Sequence, residues 1–523
     1  MYNLRLISMS NSDLVTDIKF NSSINIYDVL VSNNLVLSNA SCGGNHRCLK
    51  CLVYVKGLTL TPSDEELKAL NSTSFESINS FGRARLACFC IAIGDCEVYY
   101  SGAEVIIPLT ENTALKPNRI GVAVDIGTTT LEILFVDLDT ATVIYSYREL
   151  NNQKAFGSDV LSRIEYSNKM GFKSLSKVIS EQISKIIVNV IGVISVDLFS
   201  LESVYITGNT TMLHFFCNLD PKGIGVYPFT PNSLFGFEIP SNILPLFSDS
   251  TNIYVVPCIG PYIGADIVCG LLYTNMMQSD EPQLLIDIGT NGEIALTKNK
   301  HIYCCSTAAG PAFEGGEITN GMVATSGAIE SVWMDDSKIC YITVDGSKPT
   351  GICGTGIISA VETLLYAGVI DSTGRILLTG HSFTEYIFTH DSQPAVYISK
   401  DSVYITQKDI RNIQLAKSAI IAGIYTLLHE TSTDVKDIKR IYLSGGFGNG
   451  INPESAVKIG LIPYELKEKV VAIGNSALQG VLNIMLSVDG KTNAEDIVDN
   501  ASELSLSTSS YFMDKYVENM SFL

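Results

Sequence analysis

One pattern occurs twice in this chain, and it constrains the fold more than any other feature. Gly121-Val-Ala-Val-Asp125-Ile-Gly127-Thr128-Thr129-Thr130-Leu-Glu-Ile and Leu284-Leu-Ile-Asp287-Ile-Gly289-Thr290-Asn291-Gly292-Glu-Ile are each an apolar strand ending in Asp-Ile-Gly-Thr. A second strand-like run follows each, so each spells a β-hairpin with a glycine turn. Glycine lets the backbone approach a phosphate closely, while consecutive amide hydrogens and threonine hydroxyls donate to its oxygens. An aspartate at the strand end can hold the hydration shell of Mg2+ or orient an attacking water, as phosphoryl transfer requires. A single Asp-x-Gly turn is common; two such hairpins predict a duplicated phosphate-gripping element. Asp125 and Asp287 are the catalytic candidates. Gly127, Thr128, Thr129, Gly289, Thr290 and Asn291 are the candidates for phosphate contacts.

A third element accompanies the two hairpins. Arg440-Ile-Tyr-Leu-Ser444-Gly445-Gly446-Phe447-Gly448-Asn449-Gly450 reads as a short strand running into a glycine cluster, and Asn452-Pro453-Glu454 as a helix start. Without side chains in the way, Gly445, Gly446 and Gly448 can lie flat against a nucleoside. Together the three elements resemble the phosphate-1, phosphate-2 and adenosine motifs of the actin, sugar-kinase and Hsp70 superfamily. The resemblance implies a duplicated RNase H-like ATPase, with lobe I over 119–275 and lobe II over 276–523. It also implies that the helix Asn475–Leu486 crosses back to brace lobe I.

The first hundred residues belong to different chemistry. Cys42, Cys48 and Cys51 are spaced C-x5-C-x2-C, and Cys88 follows alone in Arg85-Leu86-Ala87-Cys88. Three thiolates on one tight loop and a fourth from a distant strand suit a [2Fe-2S] cluster, in which each iron takes two thiolates. Structural zinc is the competing reading of four cysteines, but zinc ligands tend to come in two close pairs. Cys90 and Cys96 are alternative fourth ligands. The longer first gap resembles the vertebrate and bacterial branch of the plant-type ferredoxins, and the Arg-Leu-Ala-Cys context of Cys88 resembles the segment ending on their last ligand. His46 and Leu49 stand where those ferredoxins usually have glycine.

A β-grasp [2Fe-2S] domain ahead of an actin-like ATPase is a rare pairing. Nearly the whole chain resembles the ATP-dependent reductive activators of corrinoid proteins. The strings that carry this are Asn151-Asn-Gln153 with Gly157-Ser-Asp159-Val-Leu-Ser-Arg163-Ile; Gly208-Asn209-Thr210-Thr211-Met212; Ala309-Gly310-Pro311-Ala312-Phe313-Glu314-Gly315; Gly351-Ile-Cys-Gly354-Thr355-Gly356; and Gln414-Leu-Ala-Lys417-Ser-Ala-Ile. The resemblance implies an α+β and α/β multidomain chain: a ferredoxin domain at 1–100, a linker at 101–118, then the two ATPase lobes. It implies a [2Fe-2S] cluster, ATP and Mg2+ as cofactors, and adds Asn209 and Gly354 to the cofactor-binding residues. The implied reaction is one-electron reduction of Co(II) to Co(I) in a corrinoid protein or corrinoid methyltransferase subunit, fed by an external low-potential donor. Members are often dimers, so a homodimer is compatible with it. The strings around Asn209 and Glu314 can face either nucleotide or corrinoid. Glu314 itself reads equally well as a ligand, a base or a cap on a glycine-rich turn.

A physical reason for the fusion exists apart from the resemblance. Plant-type clusters lie near about −400 mV, and corrinoid Co(II) resists reduction unless its axial ligand is withdrawn. Electron transfer is then uphill. ATP can change that only as far as it binds one conformation better than another. A second reading is a small-molecule kinase of the same superfamily, its ferredoxin domain sensing redox state and Asp287 acting as base. A third is a nucleotide-gated binding module without electron transfer, against which the cluster cysteines argue.

Bulk properties narrow the setting. The 523 residues are enough for about three domains, and 35 basic against 54 acidic residues leave a net charge of −19. That charge argues against nucleic acid and anionic membranes as partners. No apolar run approaches a membrane helix and the N-terminus lacks a signal peptide's core, so a cytoplasmic location is expected. The seven cysteines beyond residue 200 read as small buried apolar residues, with Cys304 and Cys305 the first to suspect otherwise. His214 and Trp333 read as packing residues. The run Asp64-Glu65-Glu66 reads as a solvated helix N-terminus able to dock a redox partner.

Overall fold

The computed structural model describes residues 2–8, 15–32, 51–71, 78–79, 82–100, 117–157, 159–245, 251–324, 327–335, 338–400, 402–445 and 451–522. Cys42, Cys48, His46, Leu49, Gly446, Gly448 and most of the linker lie outside the described residues. Two compact units result: one from residues 1–107 with 324–330 and 341–350, the other from the remainder.

In the first unit the strands Tyr2–Ser8 and Ile91–Tyr100 run parallel side by side. Val15–Phe20 pairs antiparallel on one flank and Leu52–Thr59 with Gly82–Leu86 on the other. This is the expected β-grasp arrangement. The strand Ile91–Tyr100 alternates half-buried or exposed with buried positions from Ile91 and Ala92 onward. Leu4, Leu6, Leu30, Val53, Leu86 and Val98 close the core against the helix Ile26–Ser32.

One expectation fails here for a clear reason. Glu66 is not a solvated acid at a helix N-terminus; it and Arg85 are fully buried. Arg85 Nε and Nη2 donate to the Glu66 carboxylate at 2.8 and 2.9 Å, and the Leu86 amide adds a third bond at 2.9 Å. Arg85 Nη1 is spent on Thr59 Oγ1 and the Leu60 carbonyl. A bidentate pair this fully hydrogen-bonded can survive burial, but one partner alone cannot. Glu66→Gln should therefore cost the first unit about 3–5 kcal/mol, read by chemical unfolding of the full chain.

The second unit contains two sheets built on one plan. In the first, Thr142–Leu150, Thr130–Asp137, Ile120–Ile126, Leu201–Gly208 and Asn252–Val255 lie in that spatial order, edged by Phe237–Ile239. The second repeats it with His301–Thr307, Gly292–Lys298, Gln283–Ile288, Arg440–Ser444 and Val470–Gly474. In both, three antiparallel strands are followed by two parallel ones. The fold class is thus a β-grasp domain followed by a duplicated RNase H-like ATPase. The helix Ser476–Leu486 packs against the helix Ala265–Thr274 and the strand Ile120–Ile126 of the first sheet, as the expected crossing-back requires.

The chain's end is tied down by one of the strings singled out in the sequence. Lys417 Nζ donates to the carbonyls of Asn519 and Ser521 at 2.6 and 2.7 Å, and Gln414 Nε2 to that of Met520 at 2.7 Å. Just before this, Ala501–Glu503 pairs with His301–Thr307. Burial raises the Glu503 carboxyl from 4.5 to about 7, a hydrogen bond from the Tyr262 amide opposing it. Between those values the folded chain keeps a proton that the unfolded chain releases. The stability Glu503 contributes is therefore complete below its unfolded pKa and is lost as pH rises through 7. The melting-temperature difference between wild type and Glu503→Gln should shift against wild type between pH 5 and pH 8.

Cys304 and Cys305 are fully buried and behave as core residues, with burial pushing both thiols up. Cys217 and Cys340, by contrast, are only half-buried. His214 is a core residue: its Nδ1 bonds the Thr210 carbonyl at 2.7 Å and its Nε2 accepts from the Asn232 amide at 3.1 Å. Trp333 does not pack as expected. It sits on the strand Ala328–Asp335 with 41% of its surface exposed.

Candidate nucleotide cleft and cysteine pair

The two Asp-Ile-Gly-Thr turns face each other across one cleft in the second unit. Asp125, Gly127, Thr128, Thr129, Asp287, Gly289, Thr290 and Asn291 all line it, joined by Asn209 and Gly445. The space measures about 690 Å3, counting its open mouth. Gly354 is not among the lining residues; it opens the buried helix Gly354–Tyr366. Gly127 must be glycine because a Cβ there would stand 2.7 Å from the Thr130 carbonyl oxygen. At Gly445, with φ of +129°, a side chain would collide with the Ile288 carbonyl.

The duplication extends to the acids. Asp125 pairs in register with Glu132 on the return strand of its hairpin, and Asp287 with Glu293. On the other side their register partners are Thr207 and Ser444. Asp266, in the first turn of the helix Ala265–Thr274, also lines the cleft. Asp125 and Asp287 keep some surface toward the cleft but are otherwise enclosed by protein, and desolvation dominates their titration. It raises Asp125 well above the usual carboxylate range, Asp287 to about 7 and Asp266 to about 6, with the neighbouring acids adding to the first two. Glu293 is likewise pushed well up by burial. Only Glu132 has a close cation among the described residues, Arg148 Nε at 3.2 Å.

Such a cluster is short of positive charge, and hard oxygen donors are what Mg2+ prefers. Among the described residues no three potential ligands close on one point.

Residues outside the two turns organise this site. Asn475 caps the helix Ser476–Leu486 through Oδ1, while its Nδ2 donates to Asp125 at 2.9 Å and Glu132 at 3.1 Å. The next residue, Ser476, shares a hydrogen bond of 2.7 Å with Ser444, whose hydroxyl also reaches Asp287 at 3.3 Å. One helix start is thus bonded to Asp125 directly and linked to Asp287 through Ser444. Glu314 Oε2 accepts from Thr129 Oγ1 at 2.9 Å and Thr290 Oγ1 at 2.8 Å, bridging the two turns. Burial raises its pKa, and these two hydrogen bonds oppose the rise.

The string Asn151 to Arg163 braces the first turn from behind. Asn151 Nδ2 donates to the Gly127 carbonyl at 2.9 Å and Arg163 Nη2 to that of Thr128 at 2.6 Å. Arg163 is fully buried, and desolvation lowers it to about 10. Asn209, the N-cap of the helix Thr210–Phe216, donates to Thr128 Oγ1 at 3.0 Å.

In the first unit, Cys51 and Cys88 bring their sulfur atoms to 3.2 Å in the core. Cys88 lies in the turn after Gly82–Leu86, and Asn25 Nδ2 donates to its carbonyl at 2.7 Å. The hydrogen bond to Cys88 is the largest influence on Cys51, lowering its thiol to about 7 against desolvation. Cys90 and Cys96 differ: burial pushes them up to about 12 and about 11. Thiolates bind metal, so the Cys51–Cys88 pair fits two donors to one iron, whereas Cys90 and Cys96 are set up to stay protonated.

Comparison with known proteins agrees with this geometry. The family model described as the C-terminal domain of RACo, the ASKHA domain, matches residues 281–523, and that described as the RACo middle region matches 120–279. The corrinoid activation enzyme RamQ of Eubacterium limosum is 31% identical over 95% of this chain and 96% of its own length. A [Co(II) methylated amine-specific corrinoid protein] reductase of Methanosarcina barkeri is 26% identical over 77% of each chain. Among solved structures, a reductive activator for corrinoid, iron-sulfur protein superposes with a TM-score of 0.73 at 27% identity, covering 100% of this chain and 98% of that one. With 31% identity along almost its whole length, this chain belongs to the family of corrinoid activation enzymes, the reductive activators of corrinoid proteins.

Proposed function

We propose that this chain is an ATP-dependent reductase that returns a corrinoid protein from Co(II) to Co(I) by passing it one electron. The observation that carries the ATP half is the meeting of both Asp-Ile-Gly-Thr turns, Gly445 and Asn475 around one cleft. The names of the relatives supply the substrate class, a Co(II) corrinoid protein. The domain limits this reading uses are 1–100 for the electron carrier, 101–118 for the linker, and 119–275 and 276–523 for the lobes.

Cys42, Cys48, Cys51 and Cys88 would hold the cluster, and Cys51 and Cys88 are the pair whose sulfurs converge. When bound, a [2Fe-2S] cluster supplies single electrons at low potential, replenished here by an external donor. Burial of both cysteines keeps water from the site, and Asn25 fixes the Cys88 backbone.

In the cleft, Thr128, Thr129, Thr290 and Asn291 would donate to the phosphates, while Gly127 and Gly289 let the backbone come close. Asp125 and Asp287 would hold Mg2+ through its water. An attacking water would give its proton to Asp287, the carboxylate that stands at the end of the second hairpin's strand and faces the cleft. Asn475 and Ser476 then stand where a change at either aspartate is felt by one helix. Binding energy spent in closing the lobes can drive the reduction only as far as ATP prefers the closed form.

Among the described residues no helix is long and apolar enough to cross a membrane. The test is to supply the anaerobic protein with a low-potential reductant, a Co(II) corrinoid protein and Mg–ATP, and to follow the cobalt absorbance. Loss of the Co(II) spectrum that requires both ATP and an iron-loaded protein supports the proposal. Phosphorylation of a small molecule with no cobalt change would favour a kinase instead.

A further inference from the structure

Glu314 lies where the proposed function needs a phosphate. Its Oε2 takes hydrogen bonds from Thr129 of the first turn and Thr290 of the second, and its Oε1 lies 3.3 Å from where a Cβ on Gly289 would stand. A threonine hydroxyl has a single proton to donate. While Thr129 and Thr290 give theirs to Glu314, neither can give it to a ligand. A carboxylate and a phosphate cannot share so enclosed a place without mutual repulsion, either. Glu314 closes the short turn Pro311–Glu314, set between Gly310 and Gly315, both at positive φ of +76° and +82°. Nothing lies within 4 Å of a Cβ built on Gly310, so the backbone is open at the entry to the turn, while Ala312 and Phe313 anchor its middle in the core.

We infer that Glu314 is a built-in competitor for the phosphate chain: its carboxylate holds the place of a phosphate oxygen between the two turns, and a nucleotide binds by displacing it. This rests on the reading of the cleft as the nucleotide site. It makes Glu314 a specificity-determining residue, because a nucleoside without phosphate has no need to displace it, whereas a nucleotide does. Displacement also exchanges one bond between the lobes for another, so phosphate entry and release of the 309–315 turn are the same event.

The test measures dissociation constants of adenosine, ADP and a non-hydrolysable ATP analogue, with Mg2+, for the full-length protein and its Glu314→Gln and Glu314→Ala variants. Matched melting curves identify a variant that has lost its fold, and the second substitution then carries the comparison. Both phosphate-bearing ligands should bind the variants roughly tenfold tighter or more, about 1.4 kcal/mol, with adenosine unchanged. A general loosening of the fold would not separate adenosine from ADP in this way. Weaker nucleotide binding by the variants would make Glu314 a ligand of the nucleotide or its cation and overturn the inference; equal binding would overturn it as well. If wild type and variants alike bind none of the three, the nucleotide reading of the cleft fails, and the inference with it.

Discussion

Cys51→Ser should give a protein that binds and hydrolyses ATP but reduces no corrinoid. Cys51 and Cys88 meet at 3.2 Å inside the core, and Cys51 is the described thiol whose pKa is brought down toward neutrality. A serine hydroxyl cannot ionise near neutral pH and is a poor donor to iron, so the cluster should not assemble stably. The checks are acid-labile sulfide, visible absorbance and cobalt reduction, all expected at background, beside an unchanged ATPase rate. Cys90→Ser is the control. Its thiol is held near 12 by burial, and its replacement should leave the visible spectrum in place. Full cobalt reduction by Cys51→Ser would remove that residue from the ligand set.

The second large effect is at Asp287. Asp287→Asn keeps the side chain's shape and its hydrogen bond with Ser444 while removing the carboxylate that accepts a proton and faces the metal. ATP hydrolysis should fall by roughly 10²–10⁴-fold, the range for loss of a positioned base, with the visible spectrum unchanged. Cobalt reduction should then no longer respond to ATP. The two variants divide the protein's work: one leaves ATP turnover without electrons, the other a loaded carrier without coupling. Undiminished ATP stimulation in Asp287→Asn would refute the role given to that residue.

Features visible in the sequence were those that a short stretch of chain settles by itself. The two hairpins needed only a strand, a glycine turn and a threonine, and they fold as read, with Asp125 and Asp287 at equivalent places in two sheets of the same order. The helix starting at Asp64 and the helix after Asn475 were local too. What went unread depends on distant segments meeting. Glu66 looks like any acid in a first helical turn, and only Arg85, 19 residues on, makes it a buried half of an ion pair. Asn475 reads as an ordinary N-cap until its side chain is seen to touch Asp125, 350 residues away in sequence.

Glu132 and Glu293 are a different case. Glu132 is the third residue of its return strand and Glu293 the second, so each closely follows its Asp-Ile-Gly-Thr string, and alignment of the two copies with a one-residue gap in the turn would have found the pair. Glu314 was left between ligand, base and cap because its meaning lies in two threonines from opposite lobes. Asp266 had no signal at all, being an acid in an apolar helix whose cleft is made by other segments.

The central claim is that ATP makes an otherwise unfavourable electron transfer from this chain's own cluster proceed. Its most direct measurement is a single turnover: the protein is reduced, freed of reductant and mixed with excess Co(II) corrinoid protein, with and without Mg–ATP, while Co(I) is counted by absorbance. The account predicts close to one Co(I) per cluster with ATP and almost none without it. Equal yields in the two mixtures would contradict it.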